Sequence, residues 1–337
     1  MSAPDDGRLD RARGALHGLA IGDALGMPTE SLPRAEVVAR YGEVVDRFHP
    51  GARDQPVAPG LPAGTVTDDT EQAVLLGELL VESGGGFDPA EFGRRLLAWE
   101  GALRARGAHG LLGPSTRRAV AALAAGADPV EAGRDGTTNG AAMRIAPAGV
   151  AVADPDALLE LVVRVCTPTH GTGVAIAGAA AVAAAVSAGI DGATVAEATA
   201  HAVGAARRGA GRGRWVAAAD VAARIEWATG LVAGLAPSRA VEVIGALVGT
   251  GLATQESVPA AFAVLATAGE DPWLTCRLAA SLGGDTDTVA AMAGAVAGAC
   301  HGTAGLPDAA MATVAEVNGL PLDRLAADLL ALRGPIR

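Results

Sequence analysis

Two short acidic stretches, Thr67-Asp68-Asp69-Thr70 and Asp285-Thr286-Asp287-Thr288, decide how this chain must fold. They are separated by more than half of the chain, and each begins a segment with helical periodicity. Their carboxylate and hydroxyl oxygens are hard ligands of the kind that Mg²⁺, Mn²⁺ and Ca²⁺ prefer. If folding brings the stretches together, four carboxylates converge, and their repulsion demands one or two divalent cations between them.

Either stretch alone is weak evidence, because an Asp or Thr at the start of a helix usually serves as an N-cap. The positive end of a helix dipole also disfavours a cation unless several carboxylates outweigh it. Two stretches of the same unusual type favour a metal site. Capping stays open as an alternative for Asp285. For Asp23 the favoured interpretation is structural, as a cap or a brace of the glycine-rich turn, and a metal contact is the alternative.

The composition predicts an all-α fold. Half of the 337 residues are hydrophobic, but only 3% are aromatic, and Ala and Gly dominate. An interior made of such small side chains requires helices that approach one another closely, and the strand signal is weak throughout. No long linker divides the chain, and the two acidic stretches must meet across most of its length. We therefore expect one compact helical domain that spans residues 1–337.

Apolar residues recur at helical spacing from Leu9 to the stretch Gly22-Asp23-Ala24-Leu25-Gly26, which predicts a first core helix that ends there. A Pro-rich and Gly-rich loop, residues 49–64, then delivers the chain to Thr67. Further helices are predicted over residues 70–82, 89–106, 115–125, 156–165, 174–188, 195–206, 215–234, 238–251, 257–268, 272–282, 288–300 and 322–332.

The charge pattern excludes several classes of protein. The net charge is −11 and no residue is Lys, which excludes a Lys Schiff base or a P-loop Lys and disfavours nonspecific nucleic-acid binding.

Cys166, Cys276 and Cys300 are too widely spaced for a disulfide framework or a zinc site, so they predict a reducing cytoplasm. Residues 1–10 lack the basic and apolar regions of a secretory signal. The uncharged run 174–190 is rich in Ala and Gly, so we interpret it as a buried helix and expect no membrane partner.

Two basic features have more than one interpretation. The Arg-rich stretch 207–214 is predicted to be a flexible, solvated surface turn, with a phosphate contact as the less favoured alternative. Arg144 lies among apolar residues, which predicts a buried ion pair, again with a phosphate contact as the alternative.

Four more stretches place polar residues among glycines, where an ordinary helical core would have none. They are Gly22-Asp23-Ala24-Leu25-Gly26-Met27-Pro28-Thr29-Glu30, Thr138-Asn139-Gly140-Ala141-Ala142-Met143-Arg144, Thr167-Pro168-Thr169-His170-Gly171 and Ser281-Leu282-Gly283-Gly284. Together with the acidic stretches, and in this order along residues 9–302, they resemble the ADP-ribosylglycohydrolase family, which includes dinitrogenase-reductase-activating glycohydrolase.

The resemblance implies an all-α fold with a binuclear Mg²⁺ or Mn²⁺ centre that cleaves the bond at the anomeric carbon of an ADP-ribosyl group. It implies that Glu30 is the glutamate near the scissile bond and that His170 lines the same cleft. The implied metal ligands are Thr67, Asp68, Asp69, Asp285, Asp287 and Thr288. The implied contacts to substrate phosphate and ribose are Asn139, Gly140, Ala141, Ala142 and Met143.

The residue types suit this chemistry in their own right. Cleavage of a ribosyl C–N or C–O bond passes through an oxocarbenium-like state, which needs protonation of the leaving group and a positioned water. Paired metal ions could hold the ribose hydroxyls and lower the pKa of that water. Glu30 could act as acid or base if neighbouring carboxylates raise its pKa; the alternative is an ordinary surface carboxylate. Peptide N–H groups along residues 139–142 could bind phosphate, because small residues allow close approach.

Three functions are consistent with these features. The first is a hydrolase that removes ADP-ribose from a protein side chain or a small conjugate, which requires a cleft with room for a pyrophosphate and adenine. The second is a nucleosidase-like hydrolase of a smaller ribosyl N-glycoside, in which the adenosine side of the cleft would be closed. The third is a crystallin-like structural protein, which the intact acidic stretches and Glu30 disfavour. The sequence leaves the linkage cleaved and the oligomeric state open.

Overall fold

The computed structural model describes residues 6–105 and 111–333, and over these residues the chain consists of helices joined by turns and loops, with no β-strand. The all-α prediction is confirmed. The α-helices are α1 Asp6–Gly26, α2 Arg34–Tyr41, α3 Asp68–Glu82, α4 Pro89–Ala105, α5 Pro114–Ala124, α6 Pro129–Gly133, α7 Gly140–Met143, α8 Ala146–Ala151, α9 Pro155–Cys166, α10 Gly173–Ile190, α11 Val195–Ala210, α12 Val221–Val232, α13 Pro237–Val243, α14 Thr254–Ala268, α15 Pro272–Ala280, α16 Thr286–His301, α17 Asp308–Asn318 and α18 Leu322–Leu332.

Helices α1 and α16 pack against each other with almost no side chain between them. Gly14, Gly18 and Gly22 recur at every fourth position of α1 and so share one face of that helix. A Cβ atom at Gly18 would lie 2.2 Å from the carbonyl oxygen of Gly294, and one at Gly22 would lie 2.1 Å from that of Ala290. We call this contact the glycine seam. It brings the end of α1 to the start of α16, where the second acidic stretch lies.

Helix α10 lies in the interior, as predicted for a buried Ala-rich segment. Within residues 6–105 and 111–333 it is the one helix long and apolar enough to cross a membrane, with a mean hydropathy of 2.0, yet 83% of it is buried inside the fold. It packs against α8, α11 and α16.

Several helix boundaries differ from the predicted ones. Helix α1 continues through residues 22–26, because its glycines serve close packing rather than ending the helix. Helix α12 begins at Val221, where the Asp220 carboxylate caps the N–H of Ala223 at 2.8 Å. Helices α2, α6, α7, α8 and α17 were not predicted, and most of them are too short to show a periodic pattern. Arg106, the predicted end of the 89–106 helix, lies outside the described residues.

The arginines of the stretch 207–214 are exposed to solvent, as predicted, but only the second part of the stretch is a turn. Helix α11 extends through its first part, to Ala210. Four of its arginines form ion pairs with carboxylates of other segments. The pairs are Arg207 with Glu226, Arg208 with Asp156, Arg212 with Glu160 and Arg214 with Asp135.

Candidate active site

The first acidic stretch is held in place by a buried carboxylate of α1. Thr67 is the N-cap of α3, and Asp68 and Asp69 lie in the first turn. Asp23 accepts hydrogen bonds from the N–H of Thr67 at 2.9 Å, from its Oγ1 at 2.8 Å and from the N–H of Thr70 at 3.1 Å. The start of α3 is therefore docked on α1. Asp23 has the structural role that the sequence favoured, although the segment it braces is the start of α3 and not the glycine-rich turn.

Two glycines directly precede the second acidic stretch and set the direction of the chain there. Gly283 and Gly284 both have φ of +80°, a left-handed conformation that favours glycine. Asp285 then donates its N–H to the carbonyl oxygen of Thr250 at 2.7 Å. Asp285 occupies the N-cap position of α16, but its side chain makes no capping hydrogen bond. The capping alternative for Asp285 is therefore wrong, and its carboxylate is available for another role.

The structure brings the two stretches together. Thr67 Oγ1 lies 3.4 Å from Asp287 Oδ2, and Thr288 Oγ1 lies 3.4 Å from Asp69 Oδ2. All four side chains are buried. The first turns of α3 and α16 therefore meet in one acidic centre.

Glu30 reaches the same centre from the short segment that follows α1. Carboxylate oxygens of Glu30, Asp285 and Asp287 lie within 4.8 Å of one another. The next residue, Ser31, has φ of +61°, which is unusual for a side chain other than glycine, and its N–H donates to the carbonyl of Gly284 at 2.6 Å. Glu30 is therefore fixed against the segment that carries Asp285.

Burial raises the pKa of every carboxyl in this centre, and repulsion between the carboxylates adds to this effect for all of them except Asp285. Burial, and then the charge of Asp287, raise the pKa values of Glu30, Asp68 and Asp69 well above their ordinary values. Burial, and then the charge of Asp285, do the same for Asp287. Burial raises the pKa of Asp285 to about 6. Such a group of carboxylates is strongly stabilised by a cation.

Two oxygen atoms of the centre indicate that it is built to hold a ligand. Glu30 Oε2 and Asp69 Oδ1 are buried and have no hydrogen-bond partner among the described residues. A buried carboxylate oxygen without a partner costs free energy. Carboxylate and hydroxyl donors without Cys or His form a hard ligand set, so the residues present fit a divalent cation such as Mg²⁺ or Mn²⁺.

A cavity of about 190 Å³ lies against the acidic centre. Pockets that take drug-sized ligands commonly measure about 300–1,000 Å³, so this one encloses only part of a molecule as large as ADP-ribose. Of the predicted site residues, those that line it are Glu30, Asp68, Asp69, Asn139, Gly140, Met143, Asp285, Asp287 and Thr288.

Part of the predicted substrate loop does not reach the cavity. Ala141 and Ala142 are fully buried behind its wall. The N–H groups of Asn139 and Ala142 donate to the carbonyls of Leu252 and Asn139 at 3.0 and 2.7 Å, so they are not available to a phosphate. The Asn139 side chain donates to the carboxylate of Asp285. The loop therefore supports the acidic centre as well as lining the cavity.

Comparison with known proteins agrees with this geometry. The family model described as ADP-ribosylglycohydrolase matches residues 4–336. This chain belongs to the ADP-ribosylglycohydrolase family. A solved structure titled ADP-ribosylglycohydrolase-related protein complex superposes with a TM-score of 0.72 and 30% identity, over 96% of this chain and 98% of the other. The family expected from the sequence motifs is therefore confirmed.

Individual relatives support membership of the family but do not identify a subtype. The uncharacterized protein YegU of Escherichia coli K12 is 38% identical over 97% of this chain and 98% of its own length. ADP-ribosyl-[dinitrogen reductase] glycohydrolase of Rhodospirillum rubrum is 34% identical over 45% of this chain and 48% of its own length. ADP-ribosylarginine hydrolase Tri1 of Pseudomonas putida is 37% identical over 42% of this chain and 36% of its own length. These partial matches do not confirm the dinitrogenase-reductase-activating subtype.

In this member of the ADP-ribosylglycohydrolase family, His170 lies behind the cavity wall. The residue is fully buried, and its Nε2 lies 3.1 Å from Oγ1 of Thr138. A Cβ atom at Gly140 would meet the His170 ring at 2.9 Å. Burial, and then the charges of Arg144 and Arg118, lower the pKa of His170 well below its ordinary value. His170 therefore supports two residues that line the cavity and is neutral at neutral pH.

Sequence reasoning missed a buried polar chain that links the acidic centre to His170. Gln72 Nε2 donates to Oδ2 of Asp68 at 2.9 Å, and Gln72 Oε1 accepts from Nη1 of Arg144 at 2.8 Å. Nη2 of Arg144 donates to Oγ1 of Thr169 at 2.6 Å, which in turn lies 2.7 Å from Nδ1 of His170. The spacing of four between Asp68 and Gln72 on one helix was the available signal.

The predicted ion pair of Arg144 is wrong. Among the described residues no carboxylate lies within ion-pair distance of Arg144, and its hydrogen-bond partners, Gln72 and Thr169, are neutral. Its Cζ lies 5.1 Å from the centre of the Phe92 ring, a cation–π contact. Burial lowers the pKa of Arg144 to about 10, so it keeps its charge at neutral pH.

Proposed function

We propose that this protein is a divalent-metal-dependent glycoside hydrolase that cleaves the anomeric bond of an ADP-ribosyl group. The substrate is an ADP-ribosylated protein or a small ADP-ribosyl conjugate. The strongest support is the convergence of Glu30, Asp285 and Asp287 within 4.8 Å beside a cavity. In the reaction, the C–N or C–O bond at the anomeric carbon breaks, the leaving group takes a proton and water supplies the new C–O bond.

Two Mg²⁺ or Mn²⁺ ions are the proposed cofactor. The proposed ligands are Thr67, Asp68, Asp69, Asp285, Asp287 and Thr288. When bound, the ions would supply Lewis-acid stabilisation of ribose and water oxygens. The chain itself holds the ligands in place: Asp23 fixes the start of α3, and the Asn139 amide orients the Asp285 carboxylate.

Glu30 is the proposed general acid or base. Its Oε2 is buried and has no hydrogen-bond partner in the described part of the chain, so it can hydrogen-bond to a substrate or water in the cavity. Burial and the charges of Asp287 and Asp285 raise its pKa, which suits a carboxyl that must hold a proton near neutral pH and pass it to a leaving group.

The names of two relatives support the substrate class. The Rhodospirillum rubrum and Pseudomonas putida proteins act, by their names, on an ADP-ribosylated dinitrogen reductase and on ADP-ribosylarginine. Their aligned parts cover less than half of this chain. We therefore propose the ADP-ribosyl class without assigning an N-linked or an O-linked leaving group.

The small cavity favours one alternative, a nucleosidase-like hydrolase of a smaller ribosyl N-glycoside. A cavity of about 190 Å³ has room for a ribosyl group, whereas adenosine would extend beyond it. A crystallin-like structural role has less support, because such a protein would not need the unpartnered acidic oxygens.

We further propose that residues 1–337 act as one domain in a reducing cytoplasm, without a nucleic-acid or membrane partner. Cys166, Cys276 and Cys300 are free and buried, and burial raises the pKa of each to about 12. Such thiols are unreactive and need no oxidising compartment.

The decisive experiment incubates the purified protein, with Mg²⁺ or Mn²⁺, with ADP-ribosylarginine, ADP-ribosylserine, nicotinamide riboside and simple ribosides, and follows the release of free sugar. We expect cation-dependent hydrolysis of an ADP-ribosyl compound, slowed about 10²-fold or more in Glu30→Gln with binding retained. Hydrolysis of ribosides alone would select the alternative. No hydrolysis of any substrate, or full activity without a cation, would contradict the proposal.

A further inference from the structure

One arginine stands at the mouth of the otherwise acidic cavity. Arg117 is the only Arg among the described residues that line it, and its side chain is exposed. It lies near the start of α5, and its Nη2 donates to the carbonyl oxygen of Leu112 at 2.7 Å. Within residues 6–105 and 111–333 this is the one hydrogen bond of the guanidinium, so its other N–H groups are available to a ligand.

No described carboxylate neutralises Arg117. By contrast, each arginine of the stretch 207–214 forms an ion pair with a carboxylate. The first turn of α5 also lacks an acidic residue, so the positive end of the helix dipole adds to the charge of Arg117. A chain with net charge −11 therefore keeps, beside its acidic cavity, a cation that no carboxylate of the described residues pairs with.

This placement matches the chemistry of a ribosyl compound that carries phosphate. The cavity encloses a ribosyl-sized space, so a phosphate attached to that ribose would lie at the mouth. The acidic centre would repel such an anion unless a nearby cation offset the repulsion. A guanidinium binds phosphate oxygens through two parallel N–H bonds, which a neutral amide cannot reproduce.

We propose that Arg117 is a specificity-determining residue that binds the phosphate of an ADP-ribosyl or other phosphoribosyl substrate. The inference rests on the proposed function, because it requires the ribosyl group to occupy the cavity. It separates the two candidate activities: an ADP-ribosyl substrate depends on Arg117, and an uncharged riboside does not.

The test measures equilibrium binding of ADP-ribose and of D-ribose, in saturating Mg²⁺, to the wild type, Arg117→Gln and Arg118→Gln. Arg118→Gln is the matched control, because it removes the same charge from the same turn of α5. Arg118 is exposed like Arg117, but it does not line the cavity. We expect Arg117→Gln to weaken ADP-ribose binding about 10-fold to 100-fold, as loss of a charge-assisted hydrogen bond does. Ribose binding should be equal in all three proteins, and Arg118→Gln should bind ADP-ribose like the wild type.

Three results would overturn the inference. Equal losses in both variants would show a diffuse electrostatic effect, and no loss in Arg117→Gln would show no contact. A wild type that binds ribose but not ADP-ribose would overturn it while leaving a ribosyl hydrolase standing. A wild type that binds neither compound would contradict the proposed function itself.

Discussion

Helices α1 and α16 form a very close backbone contact, and at one end of this contact lies the electrostatically strained acidic centre. Along the glycine seam, α1 and α16 touch backbone to backbone, and a Cβ atom at Gly18 or Gly22 would lie only 2.2 or 2.1 Å from a carbonyl oxygen. In the segment that follows α1, Glu30 instead faces Asp287 at the start of α16, and both acids have raised pKa values. The glycine seam has no room for an added side-chain atom. In the acidic centre, by contrast, two carboxylate oxygens have no hydrogen-bond partner among the described residues. The rigid contact holds the repelling groups together.

The largest expected effect comes from adding a side chain to the seam. Gly18→Leu forces α1 away from α16, because the backbone carbonyl of Gly294 cannot move aside as a flexible side chain would. We expect a protein that is insoluble or lacks a cooperative thermal transition. Gly204→Leu on α11, where an added Cβ meets nothing within 4 Å, is the control and should fold like the wild type. Normal melting of Gly18→Leu would show that the seam is not essential.

The second effect acts on the centre and should spare the fold. Asp287→Asn removes one charge from a repelling group, so the metal-free variant should be at least as stable as the wild type. Turnover should fall about 10³-fold, together with affinity for Mg²⁺, because a proposed ligand is lost. Circular dichroism, metal titration and the sugar-release assay measure the three quantities. Glu316→Gln, an exposed acid far along the sequence, is the charge-matched control. Unchanged turnover in Asp287→Asn would remove Asp287 from the proposed ligands.

The sequence was sufficient to predict the meeting of the acidic stretches, because two rare stretches of the same type favour a shared site over two separate helix caps. It was also sufficient to predict closely packed helices of small residues. The pairing of α1 with α16 was missed, although Gly14, Gly18 and Gly22 recur at a spacing of four. That spacing predicts a helix face without side chains, but it does not identify the helix that packs against it.

Other parts of the site could not be predicted for physical reasons. Gln72 and Arg144 lie far apart in sequence, and their hydrogen bond exists only because α3 and the segment after α7 pack together. The ion pairs of residues 207–214 likewise join segments that local sequence cannot relate. Long-range polar contacts depend on side-chain orientation in the finished fold, which periodicity does not encode.

The third prediction concerns pH in the absence of metal. Burial raises the pKa of Asp23 and of Asp285 from 3.8 to about 6, so between these values the native state binds more protons than the unfolded state. Stability contributed by these groups is therefore present at low pH and is lost as the pH rises toward 6 and above. With EDTA, raising the pH from 4.5 to 7 should destabilise the wild type by about 2 kcal/mol more than Asp285→Asn.

The comparison with Asp285→Asn is needed because His170 acts in the opposite direction. Its lowered pKa makes the native state gain stability as the pH rises, equally in both proteins. Denaturant melts at the two pH values give the difference, and saturating Mg²⁺ should reduce it. An identical pH dependence in wild type and variant would show that Asp285 is not electrostatically strained.

The smallest effect should come from the polar chain behind the centre. Gln72 holds Asp68 through one hydrogen bond and Arg144 through another. Gln72→Met removes both hydrogen bonds. It should lower Mg²⁺ affinity about 10-fold, because Asp68 loses the group that orients it. It should also reduce the stability of the fold, because Arg144 loses a hydrogen-bond partner. Gln72→Glu separates the two roles, since a carboxylate forms an ion pair with Arg144 but repels Asp68 instead of donating to it. If Gln72 orients Asp68, Gln72→Glu should keep its thermal stability and lose metal affinity. Wild-type metal affinity in Gln72→Glu would show that Gln72 serves only to bury Arg144, and that Asp68 takes its direction from the glycine seam and Asp23 alone.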